Sequence, residues 1–308
     1  MLTIASICTG GGGADIGFAM AGFTPIWGIE IDQQIAAIGA KNLERHNPQH
    51  QMIVADVGNV DPYCLQRPDV LWCSPSCQTS SSSQLATVAD MRIAKGTARL
   101  IQALKPSHFF LENVGRYRHL PPFKLIQQTL QALNYSTDCQ LVDFVDYGLP
   151  QHRRRLIFRA TLDRLLTFPA RSYCSGWRFA ISDLIPTFEQ VKPVAHQRPL
   201  LSALQPGSLI QRVGGRKGRV YVAAPDEAVW TIRSFQNGDR HWRQADLWDG
   251  ENLRTLSPRA YARLQGFFDS YDLPPRPKDA ICVVGNAVPP SFARQLGVSF
   301  YESLQDLA

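Results

Sequence analysis

Apolar residues in this chain come in short runs that end in glycine, in an acid or in cysteine. Residues 2–8 form a β-branched apolar run that leads straight into Thr9-Gly10-Gly11-Gly12-Gly13, and residues 15–21 place Ile16, Phe18 and Ala19 as at the start of a helix. Residues 25–29 predict a second strand, ending at Glu30 with Asp32 close behind. A third is predicted over 51–54, ending at Asp56, and a fourth over 69–73, running on through Ser74 and Pro75 to Cys77. The fifth, 107–111, ends in Glu112-Asn113-Val114. Helical spacing fits 34–42, 95–104 and 123–133 between them. Two later strands are expected over 140–145 and 156–160, flanking Gln151-His152-Arg153-Arg154-Arg155. Glycines, acids and a cysteine thus recur at strand ends through one α/β alternation. That predicts a doubly wound, mostly parallel sheet with its site along the carboxyl edge.

The texture changes after about residue 161, where apolar spacing becomes irregular and prolines and glycines multiply. Near the end, Phe292, Leu296, Phe300 and Leu304 recur every four residues, a stripe expected to be core and to return to the first domain. The expected organisation is therefore a discontinuous large domain of residues 1–165 plus 275–308, with a second, smaller irregular domain over 166–274. Within the latter, Gln211 to Arg219 sets Arg212, Arg216, Lys217 and Arg219 in a glycine-rich loop. Such a loop can follow phosphates and reach base edges; an ordinary solvated loop is an equal reading. A net charge of +6 permits a nucleic-acid partner without requiring one. No apolar run approaches a membrane span. Seven cysteines without framework spacing suit reduced thiols, and Cys73 and Cys77, with no histidine nearby, give no reason to expect a metal.

Strand, glycine turn and helix is the architecture of a nucleotide-type site, since glycine lets a ligand approach the backbone and the helix start offers free N–H groups. The dinucleotide spacing G-x-G-x-x-G fails here, because its last position is Asp15. An acid at the mouth of that turn is poorly placed for a pyrophosphate and suits a ligand with positive charge or an amine. This disfavours an NAD-linked oxidoreductase and leaves room for S-adenosylmethionine. Glu30, at the tip of the next strand, stands where ribose hydroxyls are held in such folds; alone it would read as a solvated acid.

Taken in order, these residues resemble the DNA (cytosine-5) methyltransferase family of bacterial and phage type. The likeness is carried by Cys8-Thr9-Gly10-Gly11-Gly12-Gly13-Ala14-Asp15-Ile16-Gly17-Phe18, Cys77-Gln78, Glu112-Asn113-Val114, and Gln151, Arg153 and Arg155. Arg254 to Phe267 and Val284-Gly285-Asn286-Ala287-Val288-Pro289 continue it. Each motif is weak alone, and six or more in the family's order are specific. Two positions depart from the family's pattern. Cys8 stands where a phenylalanine is usual, and Ser76 intervenes between Pro75 and Cys77 where proline normally precedes the nucleophile directly.

The resemblance implies an S-adenosylmethionine-dependent methyltransferase fold. It also implies methyl transfer from S-adenosyl-L-methionine to C5 of a cytosine flipped out of double-stranded DNA. Cys77 would be the nucleophile, Glu112 would hold the N3 and amino edge of the base, and Arg155 with Arg153 the O2 side. Cys8, Gly10, Gly12, Gly13, Glu30, Ile31, Asp56, Val57, Asn286 and Ala287 would form the cofactor site. Gln78, Ser80, Arg212, Arg216, Lys217 and Arg219 would meet DNA, and the segment from Gln78 toward Asp90 would close over the base. The expected protein is monomeric and cytoplasmic or nucleoid-associated, touches no membrane, and has a cognate restriction endonuclease as an optional companion. An inactive DNA-binding member or partner subunit, supported by Ser76 and Cys8, is the alternative from another class. RNA as substrate is a third reading.

Overall fold

The computed structural model describes residues 1–75, 87–163, 167–195, 197–212, 220–234 and 243–305. In chain order, β1 (Thr3–Ile7), α1 (Gly13–Met20), β2 (Thr24–Glu30), α2 (Gln33–Leu43), β3 (Gln51–Val54) and β4 (Val70–Cys73) come first. Then follow α3 (Val88–Leu104), β5 (His108–Asn113), α4 (Pro121–Ala132), β6 (Ser136–Asp143), β7 (Gln151–His152) and β8 (Arg154–Thr161). The middle of the chain holds α5 (Trp177–Ile181), β9 (Glu189–Val191), α6 (Arg198–Leu201), β10 (Leu209–Arg212), β11 (Val220–Ala223) and β12 (Val229–Trp230). Last are β13 (Ala245–Trp248), β14 (Leu253–Thr255), α7 (Pro258–Leu264), α8 (Pro277–Asn286) and α9 (Pro290–Gln305).

The chain divides into two compact units. One comprises residues 1–142, 154–170 and 287–308; the other comprises 143–153 and 171–286. Relative to the boundaries expected from texture, residues 143–153 and 275–286 fall in the second unit rather than with the large domain, and 166–170 fall in the first.

The first unit is built on a seven-stranded sheet in the order β3-β2-β1-β4-β5-β8-β6. Strands β1 to β5 pair in parallel, and β8 runs antiparallel to β5. The order reverses between β1 and β4, and in open α/β sheets the crevice outside the carboxyl ends at that switch point is where ligands bind. Side chains on the central strands alternate between two buried faces. Leu71, Cys73, Phe109 and Leu111 enter the core that also holds Ile101, Leu104, Phe123 and Ile126. On β4 and β5, Trp72 and Phe110 alternate with these and stack at 5.6 Å, with the Phe18 ring 5.8 Å from each.

Helix α9 packs on α1, and Phe292, Leu296 and Phe300 of the predicted stripe are buried; the Leu304 side chain lies outside the described residues. That contact depends on a missing side chain. A Cβ on Gly17 would stand 2.4 Å from the Pro290 carbonyl oxygen and 2.5 Å from the Ala293 methyl. Gly17→Ala should therefore destabilise the protein by about 1–3 kcal/mol despite alanine's higher helix propensity. A denaturant midpoint equal to wild type would refute this.

The second unit carries a five-stranded antiparallel sheet, β11-β10-β13-β14-β9, and a parallel β12–β7 pair. Irregular apolar spacing hid this sheet, and buried glutamines tie neighbouring segments to it. Gln211 donates to the Trp230 carbonyl at 2.7 Å and accepts from the Trp230 amide at 2.7 Å. Gln244 does the same for Arg233, at 2.7 and 2.9 Å. An amide side chain has a peptide's donor and acceptor, so it can stand in for a neighbouring strand.

Candidate active site and cofactor cradle

The loop after β1 is held open by its backbone. Gly10 has φ +58°, and a Cβ there would meet nothing within 4 Å, so the loop faces free space. Cys8 adopts φ +56° without being glycine, a conformation that costs on the order of 1–2 kcal/mol and tends to persist at functional sites. Its side chain packs against the core. Thr9 anchors the turn from below, its amide donating to the Ile29 carbonyl at 3.0 Å and its hydroxyl lying 2.8 Å from that of Ser6. Gly12 caps α1 and Gly13 begins it. The Val288 carbonyl approaches to 2.4 Å of where a Gly13 Cβ would be, with the Ala287 methyl at 3.4 Å. Asn286 ends α8 and is exposed.

The acids at the next strand ends converge on this loop. The Glu30 carboxylate accepts from the Gly10 amide at 2.9 Å and the Asp32 amide at 3.0 Å. Ile31 beside it is 63% exposed, an apolar side chain displayed at the rim. Asp56 caps the turn Val57–Asn59, accepting from the Gly58 amide at 2.8 Å, and Val57 is buried beneath it. Burial, the Cys73 thiol and then Glu30 and Asp56 together hold the Cys8 thiol well above its usual value. An open glycine loop ringed by two carboxylates fits a nucleoside whose ribose and amino group are hydrogen-bond donors.

Asp15 corrects the sequence reading. It does not stand at the mouth of the loop but is fully buried in α1. It cannot attract a cationic ligand. Burial pushes its carboxyl up to about 7, opposed by Ser6 and its own amide. Below about pH 4 the group is protonated whether folded or unfolded. Between about pH 4 and 7 the folded protein alone retains the proton, so stability falls as pH rises, by roughly a few kcal/mol in all. His50 and His108, lowered to about 4 by burial, act in the opposite sense below about pH 6.5. The readout is therefore the difference between proteins: the advantage of Asp15→Asn over wild type in urea should grow from pH 5 to pH 8. A pH-independent difference would sink the assignment.

At the carboxyl end of β5, Glu112 is nearly buried and receives Arg155 Nε at 2.9 Å. The antiparallel register sets Glu112 opposite Ile157, so Arg155, two residues earlier, lies diagonally on the same face. Arg153 does something else. It is 2% exposed, and its guanidinium donates to the Ile232 and Gly285 carbonyls at 3.1 Å each, all within the second unit. Gln151 is likewise committed inside that unit, to the Leu264 carbonyl, Gln265 and the Ile232 amide. Of the two arginines expected at the base's O2 side, the structure sets Arg155 against Glu112 and makes Arg153 a clasp.

Cys77, Gln78 and Ser80 lie outside the described residues, as do Arg216, Lys217 and Arg219. The last described residue before Cys77 is Pro75, and its carbonyl accepts from the Asn113 side chain at 2.9 Å. In the sequence Asn113 stands out only as part of the Glu112-Asn113-Val114 motif. Its adjacency to Glu112 at a strand end was the available signal, since neighbouring residues on a strand point to opposite faces. Arg212 ends β10 and is half-buried. Asp90, expected in the closing segment, instead completes a capping box with Thr87 at the start of α3.

The profile of the C-5 cytosine-specific DNA methylases matches residues 2–172 and 205–302. The chain belongs to that family. It is a DNA (cytosine-5)-methyltransferase, and the family uses S-adenosylmethionine. It is 27% identical over 326 residues to the type II methyltransferase M.AplI of Arthrospira platensis, covering 99% of this chain and 87% of that protein. To M.HhaI of Haemophilus parahaemolyticus it is 25% identical over 251 residues, 76% of each chain. The Dnmt2 methyltransferase of S. pombe shares its fold, with a TM-score of 0.66 at 13% identity over 99% of both chains. For this methyltransferase, then, the mostly parallel sheet is that of the S-adenosylmethionine-dependent enzymes.

Proposed function

We propose that the enzyme methylates C5 of one cytosine within a specific double-stranded DNA sequence through a covalent bond between Cys77 and C6. The observation that carries this is the Arg155–Glu112 pair at the end of β5, beside the strand that leads to Cys77. The Cys77 thiolate adds to C6, which makes C5 electron-rich enough to take a methyl group. Loss of the C5 proton then expels the thiolate and restores the C5–C6 double bond. Glu112 meets the N3 and amino edge of the base, and Arg155 keeps that carboxyl oriented; its Nη1 donates to the Arg154 carbonyl at 2.8 Å, and Nη2 would meet O2, where negative charge develops. Such a base has to leave the duplex to be reached. Arg153 is a positioning residue, fixing the segments around Ile232 and Gly285.

S-adenosyl-L-methionine, when bound, supplies an electrophilic methyl group. Glu30 would accept from its ribose, Asp56 and the Val57 amide would meet its adenine edge, and Cys8, Gly10, Gly12, Gly13 and Ile31 would line the cradle, with Asn286 and Ala287 closing it. The second unit would be the target-recognition part, using Arg212, Arg216, Lys217 and Arg219, while Gln78 and Ser80 approach DNA beside the nucleophile. No described helix is long and apolar enough to cross a membrane. The enzyme would act as a cytoplasmic or nucleoid-associated monomer. The type II names of its relatives favour a restriction–modification setting with a cognate endonuclease.

Methyl transfer from labelled S-adenosylmethionine to mixed-sequence duplex DNA tests the whole reading, and conversion sequencing of the product gives the target. Label at 5-methylcytosine in one recurrent sequence is the expected result. Cofactor and DNA binding without label would instead favour an inactive subunit, and label in RNA alone would overturn the substrate.

A further inference from the structure

Helix α3 grips the Asp56 turn at three points spaced i, i+4 and i+7 along one face. A Cβ on Gly96 would lie 2.7 Å from the Val57 carbonyl oxygen. Arg99 donates to the Gly58 and Val60 carbonyls at 3.0 and 2.6 Å. Both act on the backbone and fix the path of the turn. Arg92 differs, because it acts on the carboxylate: its Nη2 stands 2.6 Å from Asp56 Oδ2, while Oδ1 is occupied by the Gly58 amide. The Arg92 side chain is 57% exposed and that of Asp56 only 12%. The guanidinium is thus the more exposed partner and occupies the Oδ2 atom, the one oxygen the Gly58 amide leaves for an adenine amino group.

We propose that Arg92 competes with the cofactor's adenine amino group for Asp56, so that binding must first open this ion pair. The proposal rests on the reading of Asp56 as the adenine acid. Gly96 and Arg99 hold the turn without Arg92, so its removal frees Oδ2 and leaves the cradle in place. A half-exposed pair is weak and screened by salt, which fixes the sign of two effects. Arg92→Ala should bind S-adenosylhomocysteine about two- to five-fold more tightly than wild type at low ionic strength. Wild type should bind more tightly as salt rises from about 0.05 to 0.5 M, and Arg92→Ala should not respond.

Titration calorimetry of full-length wild type, Arg92→Ala and Asp56→Ala with S-adenosylhomocysteine reads all of this without turnover. A residue with a merely structural role would move affinity downward and leave the salt slope alone. Weaker binding by Arg92→Ala, or equal salt slopes in both proteins, overturns the proposal. Asp56→Ala separates the two readings. If it binds as wild type does, Asp56 is not the adenine acid and both fall; if it binds more weakly while Arg92→Ala fails its test, only the competition falls.

Discussion

Cys77→Ser should lower methyl transfer by at least about three orders of magnitude, because a hydroxyl at neutral pH offers almost no anion to add to C6. The loss should be this deep because neither thiol beside the cofactor loop, Cys73 or Cys8, can substitute. Cys73, the nearest thiol along the chain on the N-terminal side, is fully buried beside Thr97, and burial pushes it up to about 12. At pH 8 only about one in 10⁴ such groups is a thiolate. Cys8 at the cofactor loop is also held well above its usual value, by burial first and then by Cys73, Glu30 and Asp56. Binding of S-adenosylhomocysteine should be unchanged, since the cradle is made by residues of other loops. Trapping by a duplex carrying 5-fluorocytosine, which cannot lose its C5 substituent as a proton, should give a denaturation-resistant complex with wild type and none with the variant. Residual transfer within tenfold of wild type would remove Cys77 from the chemistry.

What could be read in the sequence were strand ends, and what could not were directions. Runs such as 70–73 and 109–111 are apolar throughout because both sheet faces are covered, so their length and their polar ends define them without any tertiary knowledge. Glu30, Asp56 and Glu112 therefore fall where expected. Asp15 does not, because a helix turns 100° per residue and one position decides between the ligand and the core. The two arginines after Gln151 fail for a related reason. Arg153 and Arg155 share a strand-like spacing, yet Arg153 lies outside both β7 and β8 and is drawn into the second unit by two backbone carbonyls. Carbonyl partners some 80 and 130 residues away in sequence leave no local signal. The same holds for Gln211 and Gln244, buried beside the second unit's sheet and bonded to segments 19 and 11 residues away, which look in the sequence like surface residues.

Arg155→Ala should cost both stability and rate, and the two losses identify what the ion pair does. The side chains of Arg155 and Glu112 are 13% and 8% exposed, so removing the arginine leaves a nearly buried carboxyl without its counter-charge. Breaking such a pair from one side costs about 3–5 kcal/mol, which for a protein of this size lowers the melting temperature by roughly 10 °C. Transfer should fall by about 10²-fold or more, the usual loss when a donor aimed at developing charge is removed. Arg155→Lys retains the charge but not the planar fork that meets Glu112 through Nε and leaves further donors free. It should recover most of the stability and little of the rate. Glu112→Gln keeps an oxygen for Arg155 but leaves its guanidinium without a counter-charge, so it should also unfold below the wild-type temperature, by less than Arg155→Ala, while transfer collapses. A stable, fully active Arg155→Ala would show that the pair is neither structural nor catalytic. A lysine variant restoring both would reduce Arg155 to a counter-ion and leave the O2 side of the base to another donor.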